Sequence, residues 1–237
     1  MRLAVWIMAP LALAAAQVAG AAEGEGPWEG TATLGYLATS GNSDSLSVNA
    51  GAEVSYTTGR WQHLAEVSAI GAQQEEETTA EAYKAVWRSE YSFSETDYLF
   101  GRLRWQKDKF SGYDQQITES LGYGRRLLDS DRHTLNAEVG IGARQSDLRD
   151  GSSEEEVILR GALDYTWQFS ETAQFAQYFG VESGSENTFI ESVSELKATL
   201  VGELALVASY TIRRNTTVPA GSEKTDTFTA LSLEYAF

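Results

Sequence analysis

From Trp28 onward, apolar and polar residues alternate with a period of two, the mark of β-strands with one apolar face. The stretch Ser45 to Tyr56 is the cleanest. Leu46, Val48, Ala50, Ala52, Val54 and Tyr56 oppose Ser45, Ser47, Asn49, Gly51, Glu53 and Ser55. The pattern predicts twelve strands, over 28–38, 45–56, 61–71, 81–93, 98–109, 115–127, 133–145, 157–169, 173–183, 188–200, 204–214 and 225–237. Three places break it. Glu119 sits among Ile117, Leu121 and Tyr123, which predicts a bulge or a shifted register there. Gln177 interrupts Phe175, Phe179 and Val181, and the even face of 188–200 is only half apolar.

Turn chemistry separates the segments. Ser40-Gly41-Asn42-Ser43-Asp44 is rich in residues that tolerate left-handed backbone, and Thr58-Gly59-Arg60 is the next turn. Ser170-Glu171-Thr172 copies Ser94-Glu95-Thr96. Short turns at 58–60, 94–97, 128–132, 170–172 and 201–203 alternate with mostly longer, polar loops at 73–79, 109–115, 146–156, 184–187 and 215–224. Short turns at one end and long loops at the other are the arrangement of an outer-membrane barrel. The apolar face carries Trp87, Tyr91, Trp105, Tyr165, Trp167, Phe169 and Tyr235 near segment ends, as aromatic girdles would. The fold expected is therefore all-β: a transmembrane antiparallel up-and-down barrel of about twelve strands. An even strand number puts both termini on the short-turn, periplasmic side. Closure removes free edges that lipid would not tolerate, so the first strand should pair with 225–237.

Composition narrows the class further. The formal charge of −16 argues against nucleic acid as a partner. Cysteine is absent, so there is no disulfide or thiol chemistry. Mean hydropathy of −0.30 is too polar for a helical membrane protein, but a barrel needs only one apolar face. Residues 1–21 read as a cleaved signal peptide: Arg2, an apolar run from Leu3 to Ala16, and Ala19-Gly20-Ala21 as the cleavage site. A short segment, 22–27, then leads into a barrel spanning 28–237.

The polar face of the strands would line the lumen. Its candidate charges are Arg88, Glu90, Arg102, Arg104, Glu138, Arg144, Arg160, Asp164, Arg213, Asp226 and Glu234, with Glu53, Glu66, Lys84, Asp108, Glu182, Glu191, Glu195 and Lys197 on the same face. Both signs interleave, so the expectation is a lumen crossed by ion pairs with at most a narrow water path. A lipid hydrolase would need a Ser–His pair with an orienting third group. The two histidines, His63 and His133, follow short turns and read as interfacial residues instead. No Cys or His cluster suits a transition metal, and no glycine-rich phosphate loop is present, so no cofactor is expected. The acidic runs Glu75-Glu76-Glu77 and Asp147, Asp150, Glu154, Glu155, Glu156 could bridge divalent cations to lipopolysaccharide phosphates, although a solvated acidic surface is the simpler reading.

The chain resembles the YdiY-like family of salt-induced outer-membrane proteins, whose molecular function is not established. Thr39-Ser40-Gly41-Asn42-Ser43-Asp44-Ser45 carries the resemblance, with Tyr210-Thr211-Ile212-Arg213 and Lys224-Thr225-Asp226-Thr227 before the aromatic end. It covers essentially the whole mature chain and implies a monomeric barrel in the outer membrane of a Gram-negative cell. It brings no catalytic residues. The closing strand, with Tyr235 and Phe237, is similar to the signal that the barrel assembly machinery reads. The expected role is structural or permeability-related, linked to salt or envelope stress. The alternatives are a narrow channel for small solutes or ions, then a soluble ligand-binding barrel or an outer-membrane lipid hydrolase. Partners expected are outer-membrane lipid, lipopolysaccharide and the assembly machinery.

Overall fold

The computed structural model describes residues 26–39, 45–74, 77–108, 113–149, 151–218 and 223–237. The expected signal peptide, the Ser40–Asp44 turn, and Glu75 and Glu76 lie outside them.

Twelve strands form the described chain. They are β1 (Trp28–Thr39), β2 (Ser45–Thr58), β3 (Trp61–Gln74), β4 (Glu77–Ser92), β5 (Asp97–Asp108) and β6 (Tyr113–Asp129). The second half holds β7 (His133–Leu148), β8 (Ser153–Ser170), β9 (Ala173–Ser183), β10 (Thr188–Val201), β11 (Leu204–Asn215) and β12 (Thr225–Ala236). Each pairs antiparallel with its sequence neighbours, and β12 pairs with β1 to close the barrel. The expected all-β closed barrel is the fold observed.

Alternation decides which residues face out. Leu121 and Val139 are each 64% exposed and Val157 is 76% exposed, whereas Arg104 is 2% exposed and Arg144 1%. A water-soluble protein has the reverse polarity. Here the core is the polar lumen, and the apolar wall is built to meet hydrocarbon.

The Trp28 end of β1 and the Ala236 end of β12 share the rim with the tight connections. Gly59 and Gly202 take positive φ, 59° and 53°, in two of these turns. The repeated Ser-Glu-Thr sequence repeats its hydrogen bond. The Thr96 amide donates to Ser94 Oγ at 3.2 Å, and the Thr172 amide donates to Ser170 Oγ at 3.4 Å. Aromatic pairs cluster at this rim. Trp28 and Tyr56 centroids lie 4.5 Å apart, Trp61 and Tyr91 5.0 Å, and Trp167 and Phe169 5.5 Å. This forms a ring-rich girdle.

Three expectations are corrected. The long loop read at 146–156 is mostly ladder: β7 runs to Leu148 and β8 begins at Ser153. The turn closes at Gly151, with φ of 86°. The loop read at 73–79 is likewise strand up to Gln74 and from Glu77. Cross-strand pairing outweighs the low β-propensity of these acidic residues. At Glu119 the register does not slip. The β6 irregularities fall at 113–115 and 126–128, and Glu119 stays on the outer face opposite Leu103 and Ala143.

Candidate functional site: the charged lumen

The inner wall of β6 and β7 is opened by glycines. A side chain on Gly122 or Gly140 would meet the Phe100 ring, and one on Gly124 would meet Tyr98. Tyr98 and Phe100 of β5, 2% and 3% exposed, fill that space. Over these rings sits an Arg–Glu–Arg triad. Glu138 of β7 accepts from Arg88 of β4 at 2.5 Å and from Arg160 of β8 at 2.7 Å. The Tyr98 hydroxyl donates to it at 3.0 Å. Both guanidinium carbons lie over Phe100, at 4.9 Å for Arg88 and 5.3 Å for Arg160. Arg88 also reaches Glu90 at 2.7 Å.

A second bridge runs between strands far apart in the sheet. Glu182 of β9 receives Arg104 of β5 at 2.5 Å and Arg102 at 3.3 Å. Arg104 stacks 4.7 Å over Phe189 of β10. Because β5 and β9 are four positions apart in a twelve-strand ring, this bridge is a chord across the lumen. Buried pairs of this kind contribute little net stability but are costly to break one-sidedly. Nearer the long hairpins, Arg144 pairs with Glu156 and donates to the Asn187 carbonyl at 2.5 Å.

On the other side of the chord the lumen is hollow. A cavity of about 700 Å³ is lined mainly by β1–β3 and β9–β12. Seven carboxylates and three cations line it. The cations are paired: Lys84 with Glu66 at 2.7 Å, Lys197 with Glu234 at 2.5 Å, and Arg213 with Glu191 at 2.9 Å. Glu53, Glu195 and Asp226 have no ion-pair partner within 4.0 Å among the described residues, and neither does Asp164 beside the triad.

The sequence-based candidates thus divide into three groups. Arg88, Glu90, Glu138 and Arg160 come together. Arg102 and Arg104 meet Glu182, while Arg144, Arg213 and Glu234 form separate pairs. Asp164 and Asp226 stand apart from these. Tyr98, Phe100 and Phe189, and Tyr178, whose hydroxyl accepts from Arg160 at 3.2 Å, are not among the candidates, because the alternation places aromatic residues on the apolar face. The signal was present: Gly122, Gly124 and Gly140 mark an inner wall that needs rings to cover it.

The outer wall holds further polar chemistry. His63 Nδ1 lies 2.9 Å from Ser89 Oγ, and the ring stacks near Trp61 and Trp87. No third group orients His63 among the described residues. His133 Nδ1 lies 2.9 Å from the Tyr165 hydroxyl. Gln177, the interruption in β9, is satisfied by Ser192 and Ser194 of β10, at 3.0 and 2.6 Å. That explains the half-polar face of β10: its serines complete a hydrogen-bonded set. Among the described residues no three His, Asp or Glu side chains converge to hold a metal ion. Of the acidic runs, Asp147 accepts from Gln115 and Ser153, at 2.8 and 3.0 Å, and Glu156 is held by Arg144.

A closed antiparallel barrel with an apolar outer wall and an ionic lumen has the fold and the inverted polarity of an outer-membrane β-barrel. Solved structures agree on the fold. The chain is similar to the COG4313 outer membrane channel from Pseudomonas putida F1, with a TM-score of 0.53 at 11% identity over 91% of this chain and 96% of that one. It is similar also to the translocator domain of the autotransporter NalP from Neisseria meningitidis, with a TM-score of 0.51 at 11% identity over 96% and 94%. Within that class the sequence places it further. The profile of the family described as "Protein of unknown function, DUF481" matches residues 32–237, and the chain belongs to that family. It is 32% identical over 213 residues to the uncharacterized protein YdiY of Escherichia coli K12, covering 89% of this chain and 83% of YdiY.

Proposed function

We propose that the protein resides in the outer membrane as a barrel of structural or permeability role, without a wide pore. The observation that carries this reading is the chord from Arg104 to Glu182, backed by the triad on Glu138. These groups occupy the half of the lumen bounded by β4–β9, and side chains held on both sides by charge-assisted hydrogen bonds do not swing aside freely. A narrow conduit for small solutes or ions is the second reading, favoured by the 700 Å³ cavity on the open side.

We assign no catalysis: among the described residues no third group orients His63, and its partner Ser89, which also accepts from Trp87 Nε1 at 3.2 Å, lies in the aromatic girdle. The apolar wall would contact lipid and lipopolysaccharide, the short turns would face the periplasm, and the barrel would work as a monomer. A role in salt or envelope stress follows from the family resemblance. It would be tested by the level of the protein after an osmotic upshift.

Planar-bilayer recording of the refolded protein tests the main reading. The native chain should give small or no unitary currents, and Arg104→Ala with Glu182→Ala should raise the conductance severalfold. A wide, weakly selective conductance from the native protein would overturn the obstructed lumen.

A further inference from the structure

Eleven of the twelve strand pairings run for at least ten residue pairs. The seam between β1 and β12 has five, from Thr31 opposite Ala236 to Gly35 opposite Ser232. Both strands continue past that point, β1 to Thr39 and β12 back to Thr225. At the pitch of a tilted strand, five pairs close about 13 Å of wall, roughly half of the apolar band of an outer-membrane barrel.

The ladder stops at a built feature. Asn49 of β2 reaches past Gly35, and its Nδ2 donates to Ser232 Oγ at 2.7 Å. A side chain on Gly35 would collide with the Asn49 amide. Glycine therefore lets β2 clamp β12 across β1, and beyond the clamp β1 and β12 form no ladder pair among the described residues. Asp226 to Ala230, which have no β1 partner in the ladder, all line the lumen cavity, together with Val48 and Asn49 of β2. The outer face of β12 changes character at the same level. Leu231, Leu233 and Tyr235 beside the paired half give way to exposed Thr227 and Thr229. An unpaired edge facing hydrocarbon is strongly unfavourable unless polar groups or water meet it. The threonines supply such groups.

We propose that this gap is a lateral portal between the lumen cavity and the bilayer, and that its occupant is a single-chain amphiphile with a cationic head. The head lies in the cavity and the chain passes through the portal into lipid. Charge sets the sign: every cation lining the cavity is engaged in an ion pair, whereas Glu53 and Glu195 are not. Both stand within electrostatic reach of Glu66 and Glu234, so an anionic head would be repelled. The proposal rests on the barrel residing in a bilayer and is independent of whether the lumen conducts.

The test uses the full chain refolded in phosphatidylcholine vesicles, with nitroxide-labelled alkyltrimethylammonium and a nitroxide-labelled alkyl carboxylate of the same chain length. Electron paramagnetic resonance reads the motionally restricted fraction of each. The ammonium probe should show a severalfold larger restricted fraction than the carboxylate. Bridging Tyr36→Cys to Leu231→Cys through two disulfides with a short bis-methanethiosulfonate should abolish the excess, and cleaving those disulfides with dithiothreitol, removed before the probe is added, should restore it; the native chain has no cysteine to interfere. Glu53→Gln with Glu195→Gln should diminish the excess with the portal intact. Equal fractions for the two probes, or an excess that survives bridging, would overturn the proposal. Failure to enter vesicles at all, read by flotation, would instead count against the membrane reading beneath it.

Discussion

At the scale of single residues, the absence of a side chain does as much as any group present. Gly35 admits the Asn49 amide, whose bond to Ser232 ends the seam ladder. Gly35→Ala should push Asn49 aside and leave polar groups of Asn49 and Ser232 unsatisfied in a part-buried setting. The expected cost is about 1–3 kcal/mol, read as a lower urea midpoint in detergent micelles. Gly71→Ala is the matched control: it also lies in a strand, but nothing stands within 4 Å of the added carbon. It should change stability by less than about 0.5 kcal/mol. The charged residues behave differently. Arg104, 2% exposed, is fixed between a carboxylate and the Phe189 ring, so its role is positional as well as electrostatic.

At the scale of strands, the period-two pattern located all twelve segments, because a barrel wall imposes the same constraint on every strand: one face in lipid, the other in the lumen. Strand ends were less legible. The run Ser153-Glu154-Glu155-Glu156 reads as loop by composition, yet it zips onto β7 through Arg144–Glu156 and Asp147–Ser153. These partners lie 6 and 12 residues apart across the hairpin, so they depend on its register and leave no mark in the composition of either stretch. Arg144→Ala should therefore fray this hairpin first. It leaves Glu156, now without its cation, in a partly buried position, at a local cost of about 3–5 kcal/mol. Amide exchange at 154–157 should accelerate while β2 and β3 keep their protection. Glu119 makes the opposite case. It stands on the outer face of β6 between Ile117 and Leu121, opposite Leu103 and Ala143, in the apolar belt. Replacing it with leucine should stabilise the bilayer-inserted barrel by about 1–2 kcal/mol, somewhat less than the cost known for a cationic residue at the midplane. Urea titration in lipid vesicles would show this as a raised midpoint, with a smaller change in detergent.

At the scale of the whole molecule, alternation told which side chains turn inward but not how they divide the lumen. That division depends on side-chain length and on chords such as Arg104 to Glu182, which join strands four apart and have no sequence period. Closure is the other property that belongs to the whole, and it depends on Phe237. The Gly30 amide donates to the Phe237 carbonyl at 2.8 Å, and the Phe237 amide donates to the Gly30 carbonyl at 2.9 Å. The ring lies over Gly30, close enough that a side-chain carbon there would fall 2.5 Å from it. Phe237 therefore helps seal a seam that has only five ladder pairs above it. Two variants separate this sealing role from recognition by the assembly machinery. Deleting Phe237 removes the aromatic residue and both backbone bonds. Gly30→Val keeps residue 237 but displaces its ring. Refolding into detergent involves no machinery, so a residue that served only as a signal would be dispensable there. Both variants should instead give less of the compact, heat-shifting form on gels when refolded from urea. In cells, a larger assembly defect from the deletion than from Gly30→Val, with secretion intact, is the outcome expected if residue 237 is read by the assembly machinery as well as sealing the seam. If both variants refold in detergent as well as the native chain, Phe237 does not hold the seam.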